Sequence, residues 1–479
     1  MAYIGRNVDK ISNVEVLDNI TFDGSSSYTL QKNSVNFTPS SANTLLVSID
    51  GVVQAGNFTV SGSTIDFGTA VAGTSTCDFI LHYGVGLITT VSDGTVTTAK
   101  LADSAVTAAK ITDATITAAK LASGTVQNQS AFKNIIINGD MSIAQRGTSF
   151  SSISSGSANF GVDRFNVEVS SLGTWTISQE TDVPTGQGFA KSLKLDCTTA
   201  DASPSADDLI VLTQSIEGQN LQYLKKGTSN AESITLSFWV KSNKTGTYIA
   251  ELRDVDNNRT INKSYTINSS NTWEKKTIIY DGDTTGTLDN DNGKSFQLNF
   301  WLGGGSNWTS GTLQTSWGSN TLANRQVGQV NLADSTSNEW YITGVQLEAG
   351  TTASDFEFLP YDVNLSRCQR YYQLWTEGNN KEVDIGFYFT SSSVRWVSSF
   401  YKQMRTVPSL VTVSGTDYYG IYKDGALDTF NDFNGINDTS TNQNFQVYAT
   451  SGDVSGTAGH AGMLRTNNAS ASIAFNAEL

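Results

Sequence analysis

Histidine, cysteine and proline are scarce in this chain of 479 residues, with two, three and five copies respectively. The two histidines, His82 and His460, lie far apart, and no GxSxG, HExxH or phosphate-binding glycine loop occurs, so the common catalytic motifs have no match. The three cysteines are widely separated and form neither a disulfide framework nor a CxxC metal motif. Disordered chains are typically richer in proline and charge, so we expect this chain to fold.

Long apolar runs and an excess of positive charge are also absent. No stretch approaches about eighteen consecutive apolar residues, so neither a membrane-spanning helix nor membrane insertion is predicted. The first residues lack the apolar core of a signal peptide, so we expect no export by the standard secretory route. The formal net charge of −15 argues against nucleic acid or anionic lipid as the main partner, because phosphates are bound by clusters of lysine and arginine.

Small polar residues and alternating apolar residues are abundant, and together they predict an all-β protein. Glycine (42 copies), serine, threonine and asparagine are typical of tight turns, and many short segments alternate apolar with polar residues. Residues 21–86 are predicted to form a small N-terminal β domain, preceded by a polar leader at 1–20. Residues 128–360, with six or more long strands, are predicted to form a two-sheet jelly roll. Residues 361–479 are predicted to form a C-terminal β domain that begins with a short helix at 364–374.

Residues 87–127 carry apolar residues at every fifth position, which suits neither a helix nor a strand. Five residues turn a helix by about 140° and reverse the face of a strand, so neither element would have one apolar side. We predict a single helical turn in each unit. Because so thin a ribbon cannot bury its own apolar residues, we expect several chains to pack around a common axis; a disordered linker is the alternative. The predicted core of this stalk consists of Val96, Leu101, Val106, Ile111, Ile116 and Leu121.

Several segments resemble phage tail-fibre proteins. Those proteins contain, in the same order, the segments NIIINGDMSIAQRGTSF, DRF at 163–165, FWVKS, ITGVQLEAGTTASDFEFLPYD and SRCQRYYQLW. The N-terminal segment VSIDGVVQAGNFTVSGSTIDF and the TVTTAKLAD repeats are also common there. The chain therefore resembles, over nearly its whole length, a tail fibre of marine or cyanobacterial podovirus-like phages.

This resemblance implies an elongated homotrimeric fibre built from the N-terminal β domain, the repeat stalk, the jelly-roll β-sandwich and the C-terminal β domain. It implies a place in the virion, with residues 1–20 held by a tail adaptor or nozzle protein and residues 361–479 directed at the host. The jelly roll is similar to carbohydrate-binding modules, in which a sugar stacks on exposed aromatic rings and a structural calcium often lies near the start of the fold. A host surface glycan or receptor is the implied partner, bound mainly through the C-terminal region.

Acidic residues supply candidates for that calcium, and we expect no other cofactor. The loop DGDTTGTLDNDNG collects hard oxygen ligands, with a solvated acidic loop as the alternative. Asp140 is a further candidate, by analogy with the calcium near the first strand of such modules. The segment DVDNN at 254–258 lacks the glycine and glutamate of a calcium loop, so we predict a hairpin turn there. The metal candidates are Asp140, Asp281, Asp283, Asp289 and Asp291.

Aromatic residues in polar loops supply candidates for glycan contact. Trp308 and Trp317 lie among small polar residues, where indole rings could stack on the C–H faces of sugars or instead seal the end of the jelly roll. In the C-terminal region, Tyr418 and Tyr419 are adjacent, so we expect one of them to be exposed. That region has a surplus of tyrosine, tryptophan and arginine, residues suited to recognition, although Trp396 alternates like a core residue. The C-terminal set comprises Arg395, Trp396, Tyr401, Tyr418, Tyr419 and Tyr422.

Nothing in the sequence singles out a pair of carboxylates for glycoside cleavage, so we predict a binding protein and not an enzyme. Two alternatives remain at this point: a bacterial glycan-binding adhesin, and a fibre with glycan-degrading activity.

Overall fold

The protein is described by a computed structural model, which covers residues 14–83, 101, 106, 132–450 and 454–479, without the side chains at 157 and 158. The chain divides into two compact units, residues 1–126 and residues 127–479. Nearly all the regular structure is β, which confirms the predicted all-β fold class. No helix in the described part is long and apolar enough to cross a membrane.

Most of the predicted stalk lies outside the described residues. Leu101 and Val106 are described, and both side chains are exposed on the single chain. The packing of the stalk around a common axis therefore stays a prediction. The stalk positions outside the described residues are Val96, Ile111, Ile116 and Leu121.

The first unit contains a small β domain with its own core. The strands β1, β9, β5 and β6 form one sheet in that order, β2, β8 and β7 form a second, and β3 pairs with β4. Val47, Ile65 and Ile80 have no exposed surface and lie at the centre. The strand bounds are β1 (Val14–Leu17), β2 (Ser27–Thr29), β3 (Gln31–Lys32), β4 (Val35–Asn36), β5 (Leu45–Ile49), β6 (Val52–Val53), β7 (Thr59–Ser61), β8 (Thr64–Asp66) and β9 (Cys77–Tyr83).

The predicted boundary between leader and domain at residue 20 needs correction. Strand β1 pairs antiparallel with β9, so that Val14 lies opposite Tyr83 and Leu17 opposite Ile80. Leu17 is buried in the core of this domain. The leader was assigned by its polarity. The four-residue strand β1, however, is fixed by pairing with β9, which lies more than sixty residues away in the chain. Residues 14–20 therefore belong to the β domain.

The second unit begins with one large antiparallel sheet that folds into two layers. Its order is β17, β14, β20, β12, β11, β13, β18, β15, β16 and β19, with β10 also paired to β11. The strand bounds are β10 (Ser149–Val162), β11 (Phe165–Glu180), β12 (Ser192–Thr199), β13 (Leu209–Glu217), β14 (Ile234–Ser242), β15 (Gly246–Asp254), β16 (Arg259–Ile267), β17 (Glu274–Tyr280), β18 (Lys294–Gly304), β19 (Gly318–Ser319) and β20 (Glu339–Ala349).

The long strand β11 is the fold line of this sheet. Its first half pairs with β13 and its second half with β12, and register shifts occur at Ser170–Ser171 and at Thr174–Trp175. Between them, Gly173 adopts a φ of +72°, a conformation that favours glycine. The two halves of the sheet then pack face to face, with Phe238 of β14 and Phe300 of β18 in edge-to-face contact at 5.0 Å. The result is a jelly-roll β-sandwich.

One local prediction within this sandwich is confirmed. Strands β15 and β16 form a hairpin in which Asp254 lies opposite Arg259, so DVDNN is a hairpin turn as predicted. The short helix α1 (Ser306–Thr309) follows β18 and carries Trp308. One-turn 3-10 helices occupy Ala42–Thr44, Gly218–Asn220, Gln222–Leu224, Leu322–Asn324 and Leu332–Asp334.

The C-terminal part begins with the predicted helix, observed as α2 (Tyr361–Gln369). Ten strands follow and form two sheets, β21–β30–β24 and β26–β25–β29–β22–β23–β28–β27. Aromatic rings from both sheets fill the core, and the ring centres of Phe445 and Phe475 lie 4.5 Å apart. The strand bounds are β21 (Tyr372–Glu377), β22 (Glu382–Thr390), β23 (Ser393–Ser399), β24 (Ser409–Val413), β25 (Tyr419–Lys423), β26 (Ala426–Phe430), β27 (Gly435–Ile436), β28 (Asn444–Ala449), β29 (Ala461–Thr466) and β30 (Ser472–Asn476).

Buried ion pairs join the jelly roll to the C-terminal part. Glu217, at the end of β13, has no exposed surface and accepts hydrogen bonds from Arg370 at 2.7 Å and from the Tyr371 hydroxyl. Arg164 lies 3.4 Å from the ring centre of Tyr371 and pairs with Glu478. The segments DRF and SRCQRYYQLW, which carried much of the family resemblance, therefore meet at this structural junction.

Candidate functional site

A cleft of about 460 Å³ opens on the outer face of the layer that contains β13, β18 and β15. Alternation along β13 explains it, because Ile210 and Leu212 belong to the sandwich core while Leu209, Val211 and Thr213 line the cleft. The neighbouring strand β18 repeats the pattern, with core residues at alternate positions. The cleft is therefore the solvent side of an otherwise ordinary sandwich layer.

The floor of the cleft is apolar and aromatic. Leu209, Val211, Ile249 and Trp301 form a small cluster on this outer face, and Trp308 packs against it. Trp301 is almost fully buried, whereas Trp308 is only partly buried, with the ring centres 5.5 Å apart and the planes at 39°. The floor thus offers one accessible indole held against a fixed one.

A buried ion pair fixes the orientation of these rings. Glu251 of β15 has no exposed surface, and its two oxygens accept from Arg325 at 2.8 and 2.7 Å. The same carboxylate accepts from Asn299 at 2.9 Å and from the Trp301 indole at 3.0 Å. The Arg325 guanidinium lies 4.8 Å from the ring centre of Trp301 and 5.5 Å from that of Trp308. Glu251 is therefore held by four hydrogen bonds.

The rim of the cleft carries further charges. Arg253 of β15 and Lys294 of β18 are both partly buried and both line it, together with Glu168. Burial lowers the pKa of Lys294, repulsion from Arg253 lowers it further, and Glu168 partly opposes the shift. Burial likewise lowers the pKa of Arg253, with Arg325 adding to the effect. Desolvated positive charge is thus a feature of this rim.

One end of the cleft is closed by the C-terminal part of the chain. Glu478 and Leu479 line it there. Glu478 pairs with Arg164 and, at 3.3 Å, with Arg146. Arg164 also donates to the carbonyl of Ser215 at 2.6 Å. The cleft therefore depends on the junction as well as on the sandwich.

The two loop tryptophans predicted for glycan contact have different environments. Trp308 lines the cleft, as described above. Trp317 packs against the sandwich core and stacks on Phe296, with the ring centres 6.0 Å apart and the planes at 27°. Its indole donates to the carbonyl of Asp281 at 2.7 Å. Trp317 does not line the cleft. Its environment matches the alternative interpretation, in which the ring seals the jelly roll.

The tyrosine candidates are also divided, and Tyr419 requires correction. Tyr419 has no exposed surface and donates to the carbonyls of Val413 and Ser472, so it is a core residue and offers no contact surface. The register of β25 with β29 turns it inward. Tyr418 is partly buried and packs on the same core. Tyr422 is exposed, with the Arg465 guanidinium 5.2 Å from its ring centre.

Tyr401 is the most accessible aromatic ring of the C-terminal set. Its side chain is 62% exposed, and it stacks on Trp375 at 4.5 Å with the planes 7° apart. Trp396 is fully buried, which confirms the prediction that it belongs to the core. Arg395 lies over the ring of Phe389 at 3.6 Å. Exposed aromatic surface is therefore present at the C-terminal part.

The aspartates predicted as calcium ligands have other partners. Asp283 pairs with Lys226 at 3.0 Å and with Arg259 at 2.8 Å. Burial would raise the pKa of Asp283, but these hydrogen bonds outweigh it and hold the pKa below its usual range. Lys226 also pairs with the fully buried Asp254. The positive charge beside Asp283 thus comes from side chains, and this carboxylate does not fit a calcium site.

The other candidates do not gather around a common point. Asp140 accepts from Asn364 at 3.0 Å, and Asp291 accepts from the backbone of Gly293 at 2.8 Å. Asp281 contributes its backbone carbonyl to Trp317. In the described part of the chain, no three side chains of histidine, cysteine, aspartate or glutamate converge as a metal site would require. Asp289 therefore also belongs to no such group.

Sequence reasoning missed the residues that build the cleft, namely Glu251, Arg253, Lys294, Trp301 and Arg325. One signal was present. In YIAELRD, Glu251 and Arg253 occupy alternate positions of an otherwise apolar strand, so both lie on one face. Charged residues at such spacing in a central strand mark a polar surface on that side of the sheet.

No family model matches the chain, and no curated protein matches it. Among solved structures it is similar to the enzymatically active domain of tailspike protein 4 of bacteriophage CBA120, at 15% identity and a TM-score of 0.25, over 45% of this chain and 21% of that one. It is also similar to a CBM4 structure (14%, TM-score 0.21, over 44% and 97%) and to a family 11 carbohydrate-binding module from Clostridium thermocellum in complex with a β-1,3-1,4-mixed-linked tetrasaccharide (10%, TM-score 0.22, over 43% and 98%). The chain thus spans about a fifth of the tailspike structure.

Proposed function

We propose that the chain is an attachment fibre of a phage virion and that its jelly roll binds a host surface glycan in the cleft. The single observation that carries glycan binding is the partly exposed Trp308, held over an apolar floor and surrounded by polar side chains. A sugar ring has the matching shape, since its C–H face stacks on an indole and its hydroxyls bond to the rim. Placement in a tail fibre is supported by the sequence segments that resemble such proteins.

The geometry of the cleft favours binding of a glycan without cleavage of its glycosidic bonds. A glycosidase needs two carboxyl groups roughly 5 to 9.5 Å apart, one of them free to protonate the leaving oxygen. Among the described residues, the glutamates that line the cleft are Glu168 and Glu478, and Glu478 is paired with two arginines. These pairs stabilise the ionised form of Glu478, so the cleft offers Glu168 alone and not the pair of carboxyl groups that cleavage requires. Glu251 lies behind the cleft, where Arg325, Asn299 and Trp301 bind its carboxylate. We therefore propose no glycan-degrading activity for this cleft.

The C-terminal part is a second candidate for host contact, supported by Tyr401. This ring is exposed and is held flat by Trp375, as in a stacking platform for one sugar ring. It lies on an open surface, where a bound sugar would lose less of its hydration than in a cleft. We therefore place the main glycan site in the jelly roll and an auxiliary contact near Tyr401.

Assembly as a homotrimer is part of the same proposal. The five-residue apolar repeat supports self-association, and the resemblance to tail fibres supports three copies. A trimer presents three clefts, so weak binding at each site is multiplied by avidity when several engage one cell. The tail adaptor or nozzle protein would hold the N-terminal residues that precede β1, which begins at Val14.

Binding of the full chain to an array of bacterial capsular and O-antigen polysaccharides tests this proposal. Trp308→Ala should abolish or strongly weaken binding, because stacking on an aromatic ring contributes about 1 kcal/mol or more. Tyr401→Ala serves as the matched aromatic variant outside the cleft and should have a smaller effect. If Trp308→Ala binds as the wild type does while Tyr401→Ala fails, the main site lies in the C-terminal part. If wild-type protein binds no polysaccharide, glycan attachment is refuted.

A further inference from the structure

Two positively charged side chains of the cleft have no carboxylate partner within ion-pair distance. Among the described residues, neither Arg253 nor Lys294 forms a salt bridge of 4.0 Å or less. Within the described residues, the side chain of Arg253 donates one hydrogen bond, from Nη1 to Gln297 at 3.4 Å, and its Nε is a buried donor without an acceptor. The other arginines of the cleft differ, since Arg325 is neutralised by Glu251 and Arg164 by Glu478.

The charge balance of the cleft is also unlike that of the chain. Four cationic side chains line it against two glutamates, Glu168 and Glu478, whereas the whole chain carries a formal net charge of −15. Glu168 acts on both Arg253 and Lys294 but lies outside ion-pair distance of either. Arg253 and Lys294 are therefore left without a paired carboxylate, although both side chains are already partly desolvated. Burying a cation without a counter-charge costs free energy, and an anionic ligand would offset that cost.

We propose that the cleft selects a glycan with an anionic sugar, whose carboxylate or sulfate group binds Arg253 and Lys294 while its ring, or the next one, stacks on Trp308. This inference rests on the proposed glycan function and adds the chemical class of the ligand. Arginine suits this role because its planar fork can donate two parallel hydrogen bonds to a carboxylate or a sulfate. The formal net charge of −15 on the whole chain disfavours binding of polyanions in general, so binding of an acidic glycan should be confined to the cleft.

The test measures affinities of the full chain for three classes of polysaccharide of similar length: uronate-containing, sulfated, and neutral. Oligogalacturonate, dextran sulfate and dextran serve as probes beside the array described above. We expect binding of at least one acidic class, with an affinity that falls as salt is raised, and no comparable binding of neutral glycans. The carboxylate and sulfate probes identify which of the two anionic groups is accepted.

Two variants remove the charges and keep the apolar stems. Arg253→Met and Lys294→Met should each weaken binding of the acidic glycan at least about tenfold, because hydrogen bonds to charged groups are worth more than neutral ones. Lys275→Met is the matched control, since Lys275 is exposed on β17, in the opposite layer, and should change little. Thermal unfolding of each variant, compared with that of the control, shows whether the fold is intact.

The outcomes separate this inference from the proposed function. Acidic-glycan binding that depends on Trp308, Arg253 and Lys294 supports both. Binding of a neutral glycan that Trp308→Ala abolishes but the two methionine variants leave unchanged overturns the anionic assignment and leaves glycan attachment standing. Absence of binding to every class overturns both.

Discussion

Removing the guanidinium beside Glu251 should destabilise the jelly roll more than any surface charge change would. Arg325→Met keeps most of the side-chain volume but removes two of the four hydrogen bonds that Glu251 accepts. Glu251 has no exposed surface, and Arg325 is only 6% exposed, so water has little access to the positions of the lost donors. Breaking a buried pair from one side costs about 3 to 5 kcal/mol, because a charge remains buried without compensation.

The double variant Glu251→Gln with Arg325→Met provides the decisive comparison. The amide that it introduces is neutral, and its oxygen can still accept from Asn299 or from the indole of Trp301. We therefore expect the double variant to be more stable than Arg325→Met alone, although it carries one more substitution. This non-additivity is the signature of two groups coupled in one desolvated network.

Urea unfolding, followed by tryptophan fluorescence and by near-ultraviolet circular dichroism, measures these differences. Lys275→Met is the control, and exposed substitutions of that kind change the free energy of unfolding by about 0.5 kcal/mol or less. An Arg325→Met midpoint equal to that of Lys275→Met would refute the conclusion that the pair is buried and coupled. A double variant less stable than the single one would refute the network of shared donors.

Four further outcomes follow from the structure. Burial would raise the pKa of Glu217, but hydrogen bonds from Arg370 and Tyr371 outweigh it and lower the pKa below the usual 4.5. The stability from this junction should therefore be complete above about pH 4.5 and be lost as the pH falls through the lower folded value, and Glu217→Gln should show a weaker acid dependence in thermal scans. Chelation of divalent cations should leave the melting temperature unchanged, whereas Asp283→Asn should lower it, because Lys226 would lose a buried partner. Light scattering should give three times the chain mass of 51.4 kDa, and a monomer would end the stalk hypothesis. Removing residues 1–13 should leave the fold intact and abolish assembly onto phage tails.

Local features of the chain were predictable because they depend on neighbours in sequence. The period of two in ITLSFWVKS and YIAELRD predicts strands, and DVDNN between two such segments predicts the hairpin that joins β15 to β16. The helix after Pro360 was likewise expected, within a few residues. The burial of Trp396 followed from alternation alone.

Predictions about residues whose environment is set by distant parts of the chain needed the structure to correct them. Tyr419 and Trp317 look like exposed aromatics in polar segments, yet Tyr419 is buried by the register of β25 against β29. Trp317 is partly buried and packs against Phe296. Asp283 lies in an acidic loop, but Lys226 and Arg259 reach it from other parts of the jelly roll. In each case the charge or surface that decides the role comes from residues far away in the chain.

The sequence by itself determined the all-β class, the strands of the sandwich and the segments that resemble tail fibres, because alternation, turn residues and motif order are local properties. The tertiary structure alone decided where the cleft that we propose for a glycan lies. The cleft takes Arg253, Lys294, Trp308 and Arg325 from separate strands and loops, and closes with Glu478 near the end of the chain. Which of these charges is neutralised and which is left over depends on strand order and register, since ion pairs form only between side chains that folding brings within a few ångströms.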